Sequence, residues 1–303
     1  MFGGISDPRL VLVTGAGSGI GRATALRFAK HGATVLVSDI DEATAKQTAA
    51  LIIERGGQAY ATRLDVTDDT AWADYAVEVL DRHGVPDVLV NNAGIVVIGG
   101  FLDQSKRAWD HQMSVNLDGV INGCRAFAPL MADARRGQIV NVASVMAFSP
   151  SPLAPSYNVA KAGVRMFSEC LRGELAPYRV GVSVVCPGAV ATNIGKGEIT
   201  SDVGLPPDRV AGLQRGISEL IVTLGPALGF GPDIIARGIV RAVRYNLAVL
   251  PVRPEAWAMF AAARLSPGLY RLALAQADPA RVAALARFAA RVIPDRVIRA
   301  FEA

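Results

Sequence analysis

The chain is poor in the residues that build disulfide frameworks and metal sites. Three cysteines (Cys124, Cys170, Cys186) and three histidines (His31, His83, His111) are scattered over 303 residues. An odd number of distant cysteines with no C-x-x-C spacing excludes a disulfide scaffold and points to buried thiols in a reducing compartment. The histidines form no ligand cluster, so no metal is expected. No run of 18 or more residues is apolar and uncharged enough to read as a membrane span. Met1 to Pro8 lacks the basic start and apolar core of a secretory leader, which makes the cytoplasm the expected location. Aromatics are only 6% of residues and the net charge is +4. A modest basic surplus without interleaved aromatics speaks against a nucleic-acid partner.

What the chain has in quantity is apolar residues, at 51%, enough for one large core, and α/β folds of this length are often single units. Short apolar runs alternate with helical patterns. Strands are expected at Arg9–Thr14, Ala33–Ser38, Ala59–Leu64, Val88–Asn91, Ile139–Ala143, Gly181–Cys186 and Ala248–Pro251. Helices are expected at Arg22–Lys30, Asp68–His83 (after a Thr67 cap), Lys106–Met131 (bent near Asp118-Gly119), Pro155–Ala176 and Ile234–Tyr245. Such alternation predicts an α/β fold with a doubly wound parallel sheet. Ligands of such sheets sit beyond the carboxyl ends of the strands, and Gly15, Asp39, Asp65, Asn92, Ser144 and Pro187 all fall at that edge.

The first strand runs into Gly15-Ala16-Gly17-Ser18-Gly19-Ile20-Gly21 and then a helix. Glycines there permit a tight turn and close backbone approach to a pyrophosphate, and the helix N-terminus offers free N–H groups and a positive dipole. Asp39 ends the second strand, where a carboxylate accepts hydrogen bonds from both adenosine ribose hydroxyls and repels a 2′-phosphate. Its neighbours are Ser38 and Ile40, so no adjacent cation offsets that repulsion; NAD is expected over NADP. Asp39 also reads as a helix N-cap ahead of Asp41-Glu42. Further along, Tyr157 and Lys161 share a helix face at i and i+4. A cation within about 4–6 Å lowers a phenol's pKa, and a tuned phenol can exchange a proton with an alcohol or a ketone. Ser144 lies thirteen residues before that tyrosine.

On these motifs the chain resembles the short-chain dehydrogenase/reductase family over residues 7 to 250. Thr14 to Gly21 is similar to its cofactor turn. Asp65-Val66 is similar to its adenine-contacting pair, and Asn91-Asn92-Ala93-Gly94 to the element supporting the central sheet beside the cofactor. Asn116, Ser144, Tyr157 and Lys161 match its catalytic tetrad. Pro187-Gly188-Ala189-Val190-Ala191-Thr192 matches the segment that holds the nicotinamide carboxamide. The resemblance implies a Rossmann-like sheet of about seven strands with helices on both faces. It implies cofactor contacts from Gly15, Ser18, Gly19, Ile20, Gly21, Asp39, Asp65, Val66, Asn92, Ala93, Gly94, Tyr157, Lys161, Pro187, Gly188, Val190 and Thr192. It also implies that Lys161 holds the nicotinamide ribose, that Asn116 anchors a water linking Lys161 to solvent, and that the assembly is a homodimer or homotetramer.

Residues near those motifs, Ile95, Val96, Val145, Met146, Phe148 and Leu153, are apolar. They point to an uncharged, lipophilic secondary alcohol or ketone: alicyclic, steroid-like, terpenoid or long-chain. Two other readings stay open, a 3-oxoacyl-thioester reductase and an NAD(H)-binding regulatory or scaffold protein. Residues 1–251 read as the catalytic domain, with a substrate lid over 193–231. Residues 252–303 read as a basic helical extension, with helices at Glu255–Leu265 and Pro279–Ile293. From Asp233 onward eleven Arg and no Lys face five acids, a net of +6, against −2 for the rest. A basic amphipathic helix of this kind packs on its own domain or a partner subunit, lies peripherally on an anionic membrane, or meets an acidic protein.

Overall fold

The computed structural model describes residues 3–102, 104–152, 154–188 and 231–268. Leu153, Val190, Thr192, the lid region up to residue 230 and the helix expected at Pro279–Ile293 lie outside the described residues. Within them the strands are β1 Leu10–Thr14, β2 Thr34–Asp39, β3 Gln58–Arg63, β4 Val88–Asn91, β5 Gly137–Val142, β6 Val180–Pro187 and β7 Val249–Val252. All pair in parallel in the order β3-β2-β1-β4-β5-β6-β7. Helices α1 Gly19–Lys30, α2 Glu42–Glu54, α3 Asp69–His83, α4 Lys106–Met113, α5 Gly119–Asp133, α6 Pro155–Leu175, α7 Pro232–Tyr245 and α8 Pro254–Leu265 flank or follow the sheet.

Strand alternation sends successive side chains to opposite faces, so one sheet serves two cores. Leu12, Leu36, Leu89, Ile139 and Val182 pack with Trp72 and Val79 of α3, Phe127 and Met131 of α5 and Val164 of α6. Val11, Val13, Val35, Val90 and Val140 pack with Phe28 of α1, Ile52 of α2 and Ile235 and Ile239 of α7. Burial on both faces explains why the strands read as continuous Val/Leu/Ile runs.

Three local details differ from the sequence expectation. The α3 cap is Asp68, whose carboxylate accepts from Ala71 N–H; Thr67 is instead held by Asp65. Helix α2 is capped by Asp41, which accepts from Ala43 and Thr44 N–H, so Asp39 is left for another task. The long helix expected over Lys106–Met131 is two helices joined by a π-turn at Ser114–Asp118, ending at Asp133. Such a turn inserts a wider hydrogen-bonded loop and often marks a functional position; here it carries Asn116. After β7, α8 packs on the short turn Val145–Ala147, where the rings of Phe148 and Phe260 meet edge to face at 5.0 Å. Among the described residues no helix is long and apolar enough to cross a membrane.

Candidate active site

Strand order reverses between β1 and β4, and a cavity of about 380 Å³ opens over their carboxyl ends. Thr14 ties the two strands together at that point. Its hydroxyl accepts from the N–H groups of Asn92 and Ala93 at 3.0 Å each, and Asn92 Nδ2 donates to the carbonyls of Thr14 (2.9 Å) and Gly15 (3.2 Å). The glycine turn is therefore braced from β4. Gly15 and Gly19 have φ of 61° and 53°, values that favour residues without a Cβ. A Cβ on Gly21 would stand 2.1 Å from the Gly15 carbonyl oxygen. Ser18 caps α1 in extended conformation without a side-chain bond, which leaves first-turn N–H groups of the helix to an incoming anion.

Asp39 reaches this turn from β2. One carboxylate oxygen accepts from Gly17 N–H at 2.8 Å and the other from Asp41 N–H at 3.1 Å, and the side chain lines the cavity. Arg22, the nearby cation, is spent on its own loop: it donates to the Gly17 carbonyl and, at 3.0 Å, to Thr48 Oγ1. Asp65 lines the same cavity with Val66, while its carboxylate holds Thr67.

The other end of the cavity holds Ser144, Tyr157 and Lys161. Ser144 lies two residues past β5; its hydroxyl accepts from Met146 N–H at 3.1 Å and stands near enough to the Tyr157 phenol to oppose the rise in its pKa. One turn further along α6, Lys161 is almost fully buried, donates to the Val142 carbonyl at 2.9 Å and lies 5.8 Å from the Tyr157 ring centroid. Asn158, between them, fixes the helix to the turn after Ser144 by donating to the carbonyls of Met146 and Ser149, each at 2.6 Å. The electrostatics differ from the simple pairing argument. Burial pushes the Tyr157 phenol up, with the nearby Ser144 hydroxyl opposing it. Burial likewise brings Lys161 down to about 8. The ammonium is turned to a carbonyl, and both groups are more strongly affected by lost water than by each other. Cys186, beneath them, is pushed up to about 12 by burial and stays a thiol.

Lys161 therefore links pH to stability. Its folded pKa, about 8, lies below the ordinary 10.5, so between those values the unfolded chain binds more protons and this group's contribution rises with pH. Lys161→Met should remove that rise and melt no lower than the wild-type chain at pH 7. Thermal unfolding of both at pH 7 and 10, without cofactor, checks it; a variant that melts several degrees lower at pH 7 would refute the burial cost.

Most residues singled out from the sequence come together here. Gly15, Ser18, Gly19, Ile20, Asp39, Asp65, Val66, Asn92, Ala93, Gly94, Ser144, Tyr157, Lys161, Pro187 and Gly188 line one cavity. Gly21 lies behind Gly15, and Asn116 is fully buried behind Gly94 and Ile95. Of the substrate residues among those described, only Ile95 lines the cavity; Val96 is half-buried, Val145 is core, and Phe148, two residues past Met146, meets Phe260 edge to face. Leu64, His111, Val115 and Val142 also line it, although strand and helix patterns mark them only as ordinary members of their elements. Gln112 carried no sequence signal at all. A nicotinamide dinucleotide fits what is present: a glycine cradle closed to any Cβ, a carboxylate at the ribose end and a proton-exchanging pair at the far end.

A family model described as short chain dehydrogenase matches residues 9–202. The chain belongs to the short-chain dehydrogenase/reductase family. Membership places it among oxidoreductases that bind NAD or NADP. It is 44% identical over 263 residues, 86% of its length, to the probable oxidoreductase EphD of Mycobacterium tuberculosis (strain ATCC 25618 / H37Rv), of which it covers 44%. The chain thus spans less than half of that relative. It is 37% identical over 191 residues to the cyclopentanol dehydrogenase of Comamonas sp. (strain NCIMB 9872), covering 63% of this chain and 76% of the relative. A short-chain dehydrogenase/reductase from Burkholderia phymatum in complex with NAD superposes with a TM-score of 0.79 at 28% identity, over 92% of this chain and 99% of the other.

Proposed function

We propose that this chain is an NAD(H)-dependent dehydrogenase that interconverts an uncharged, lipophilic secondary alcohol and its ketone. The observation that carries the reading is that Ser144, Tyr157 and buried Lys161 line the same cavity as Asp39 and the glycine turn. NAD, held by the glycine turn, Asp39, Asp65-Val66, Asn92 to Gly94 and Pro187-Gly188, supplies the hydride acceptor. Tyr157 takes the hydroxyl proton from the substrate. Ser144 donates a hydrogen bond to the substrate oxygen, where charge develops. Lys161 stabilises the resulting phenolate and carries its proton toward solvent, with Asn116 anchoring the relay. The walls near the pair, Ile95, Val115, Val142 and Ala143, are apolar, and Lys161 is the one fixed cation among the described lining residues. Beyond Lys161, a small carboxylate or phosphate substrate would find no cationic partner among those described residues. The relative named as a cyclopentanol dehydrogenase supports an alicyclic alcohol.

The preference for NAD rests on Asp39. Asp39→Asn removes a charge-assisted partner for the ribose hydroxyls, a loss of about 1.5–3 kcal/mol or roughly 10–100-fold in affinity, while repulsion of a 2′-phosphate also disappears. Fluorescence titration should show NADH binding weakened and the NADH over NADPH ratio reduced; an equal change for both would refute the assignment.

The activity itself is tested by following absorbance at the NADH band with NAD and a panel of alicyclic and long-chain secondary alcohols. Turnover supports the reading. Turnover confined to 3-oxoacyl thioesters would transfer it to thioester reduction, and tight NADH binding with no turnover would favour a regulatory role. For the assembly we retain a homodimer or homotetramer, with Val159 and Met166 exposed on α6 as the apolar surface to be covered. The cytoplasm remains the proposed location, and the extension from 252 is read as packing on the catalytic domain, as α8 does through Phe260.

A further inference from the structure

A glutamine with no exposed surface is costly unless every polar atom is paired, and a methionine or leucine would fill the same space without that demand. Gln112, on α4, is such a residue. Its Oε1 accepts from Val97 N–H at 2.6 Å and its Nε2 donates to the Ile95 carbonyl at 2.9 Å. The two partners fix the amide's orientation, since a carbonyl needs the NH2 group and an N–H needs the oxygen. Asn116, in the π-turn that follows α4, grips the same segment: its Nδ2 donates to the Ile95 carbonyl at 2.7 Å and its Oδ1 accepts from Ile95 N–H at 2.8 Å. One carbonyl therefore receives both amides, and each amide also holds a backbone N–H. Ile95 lines the cavity. Its neighbour Gly94 is so close to the site that a Cβ there would stand 2.9 Å from Asn116 Oδ1 and 3.5 Å from Lys161 Nζ.

We infer that Gln112 is a positioning residue for the proposed reaction: it clamps Ile95 and Val97 so that Asn116 is held in register with Lys161. Both oxygen and nitrogen of the Asn116 amide are occupied by Ile95, so the place of Asn116 is set by where Ile95 lies. Ile95 in turn is held against α4 by Gln112. The inference rests on the dehydrogenase reading for its catalytic consequence, but not for the clamp itself.

The test separates the two. Residue-resolved amide hydrogen exchange on the cofactor-free chain reads the clamp. Gln112→Met, close in size but without the amide, should speed exchange at Val97 and also at Ile95, whose own N–H partner is Asn116, by about tenfold for each hydrogen bond loosened. A purely local role would speed Val97 alone, and that result would overturn the inference. Gln112→Glu, held neutral by burial, keeps an acceptor for Val97 and an O–H donor for the Ile95 carbonyl, so it should leave both amides closer to wild-type protection than Gln112→Met does. In turnover with an alcohol substrate, Gln112→Met should lower kcat about tenfold with KM changed less than about twofold, and Gln112→Glu should lie between it and the wild type. A kcat equal to wild type in folded Gln112→Met would also overturn the inference. If the wild-type chain turns over no alcohol, the exchange pattern alone decides the clamp and the dehydrogenase reading is what falls.

Discussion

Tyr157→Phe should lower turnover of the best secondary alcohol by about 10²–10⁴-fold, the range of a positioned acid–base, while NADH affinity stays within about twofold. The asymmetry follows from the local geometry. The ring keeps its packing and its place 5.8 Å from Lys161, and only the oxygen that exchanges the proton is lost. In the cofactor-free chain burial holds that phenol protonated. Forming the phenolate therefore depends on the ammonium of Lys161, the Ser144 hydroxyl and positive charge brought by an oxidised nicotinamide. For the same reason the neutral phenol is well suited to give a proton to a ketone. Initial rates and a parallel NADH titration measure both quantities. A variant that retains more than a tenth of wild-type turnover would remove Tyr157 from the proton transfer, and one that also fails to bind NADH would point to a misfolded site.

Gly21→Ala should abolish useful dinucleotide binding. The added Cβ would lie 2.1 Å from the Gly15 carbonyl oxygen and 2.6 Å from Asn92 Nδ2. Both neighbours are held: Gly15 is fixed at φ 61°, and Asn92 donates to the carbonyls of Thr14 and Gly15. Relief requires α1 to withdraw from the turn, which misaims the N–H groups that would meet the pyrophosphate. Losing two such bonds to a charged group costs about 3 kcal/mol or more, over 100-fold in NADH affinity, and overpacking lowers stability by about 1–3 kcal/mol. Gly32→Ala is the control, since Gly32 has φ 88° but open space around it. It should lose about 1 kcal/mol of stability and no NADH affinity. Equal NADH binding by Gly21→Ala and the wild type would show that the helix does not need to approach Gly15 so closely.

Much of the fold was legible because its signals are local. The Val/Leu runs of β1, β2, β4 and β6 mark strands buried on both faces, and Gly15 to Gly21 marks a strand-to-helix turn by residue type alone. Element boundaries were less legible, because they depend on which of several adjacent polar side chains reaches a free N–H. Thr67, Asp68, Asp39 and Asp41 are all chemically able to cap; the chain path gave the caps to Asp68 and Asp41 and left Asp39 to bind Gly17. The break at Ser114–Asp118 was legible only as a bend. Local propensity does not distinguish a kinked α-helix from a π-turn, because the wider turn is held by contacts with Ile95 from another element.

The sequence by itself determined the parallel α/β class, the ordered motifs and the identity of Ser144, Tyr157, Lys161 and Asp39 as candidates, since these follow from residue type and spacing. Only the tertiary structure decided the electrostatic balance at the pair, where desolvation outweighs the phenol–ammonium attraction. It alone brought Gln112 and Asn116 onto one carbonyl seventeen and twenty-one residues back along the chain. Which apolar residues face the cavity, Ile95 and Val115, and which face the core or another ring, Val145 and Phe148, was likewise a tertiary outcome. The physical reason is the same in each case. Burial and long-range hydrogen bonding depend on what other parts of the chain place nearby, and spacing along one element carries no record of that.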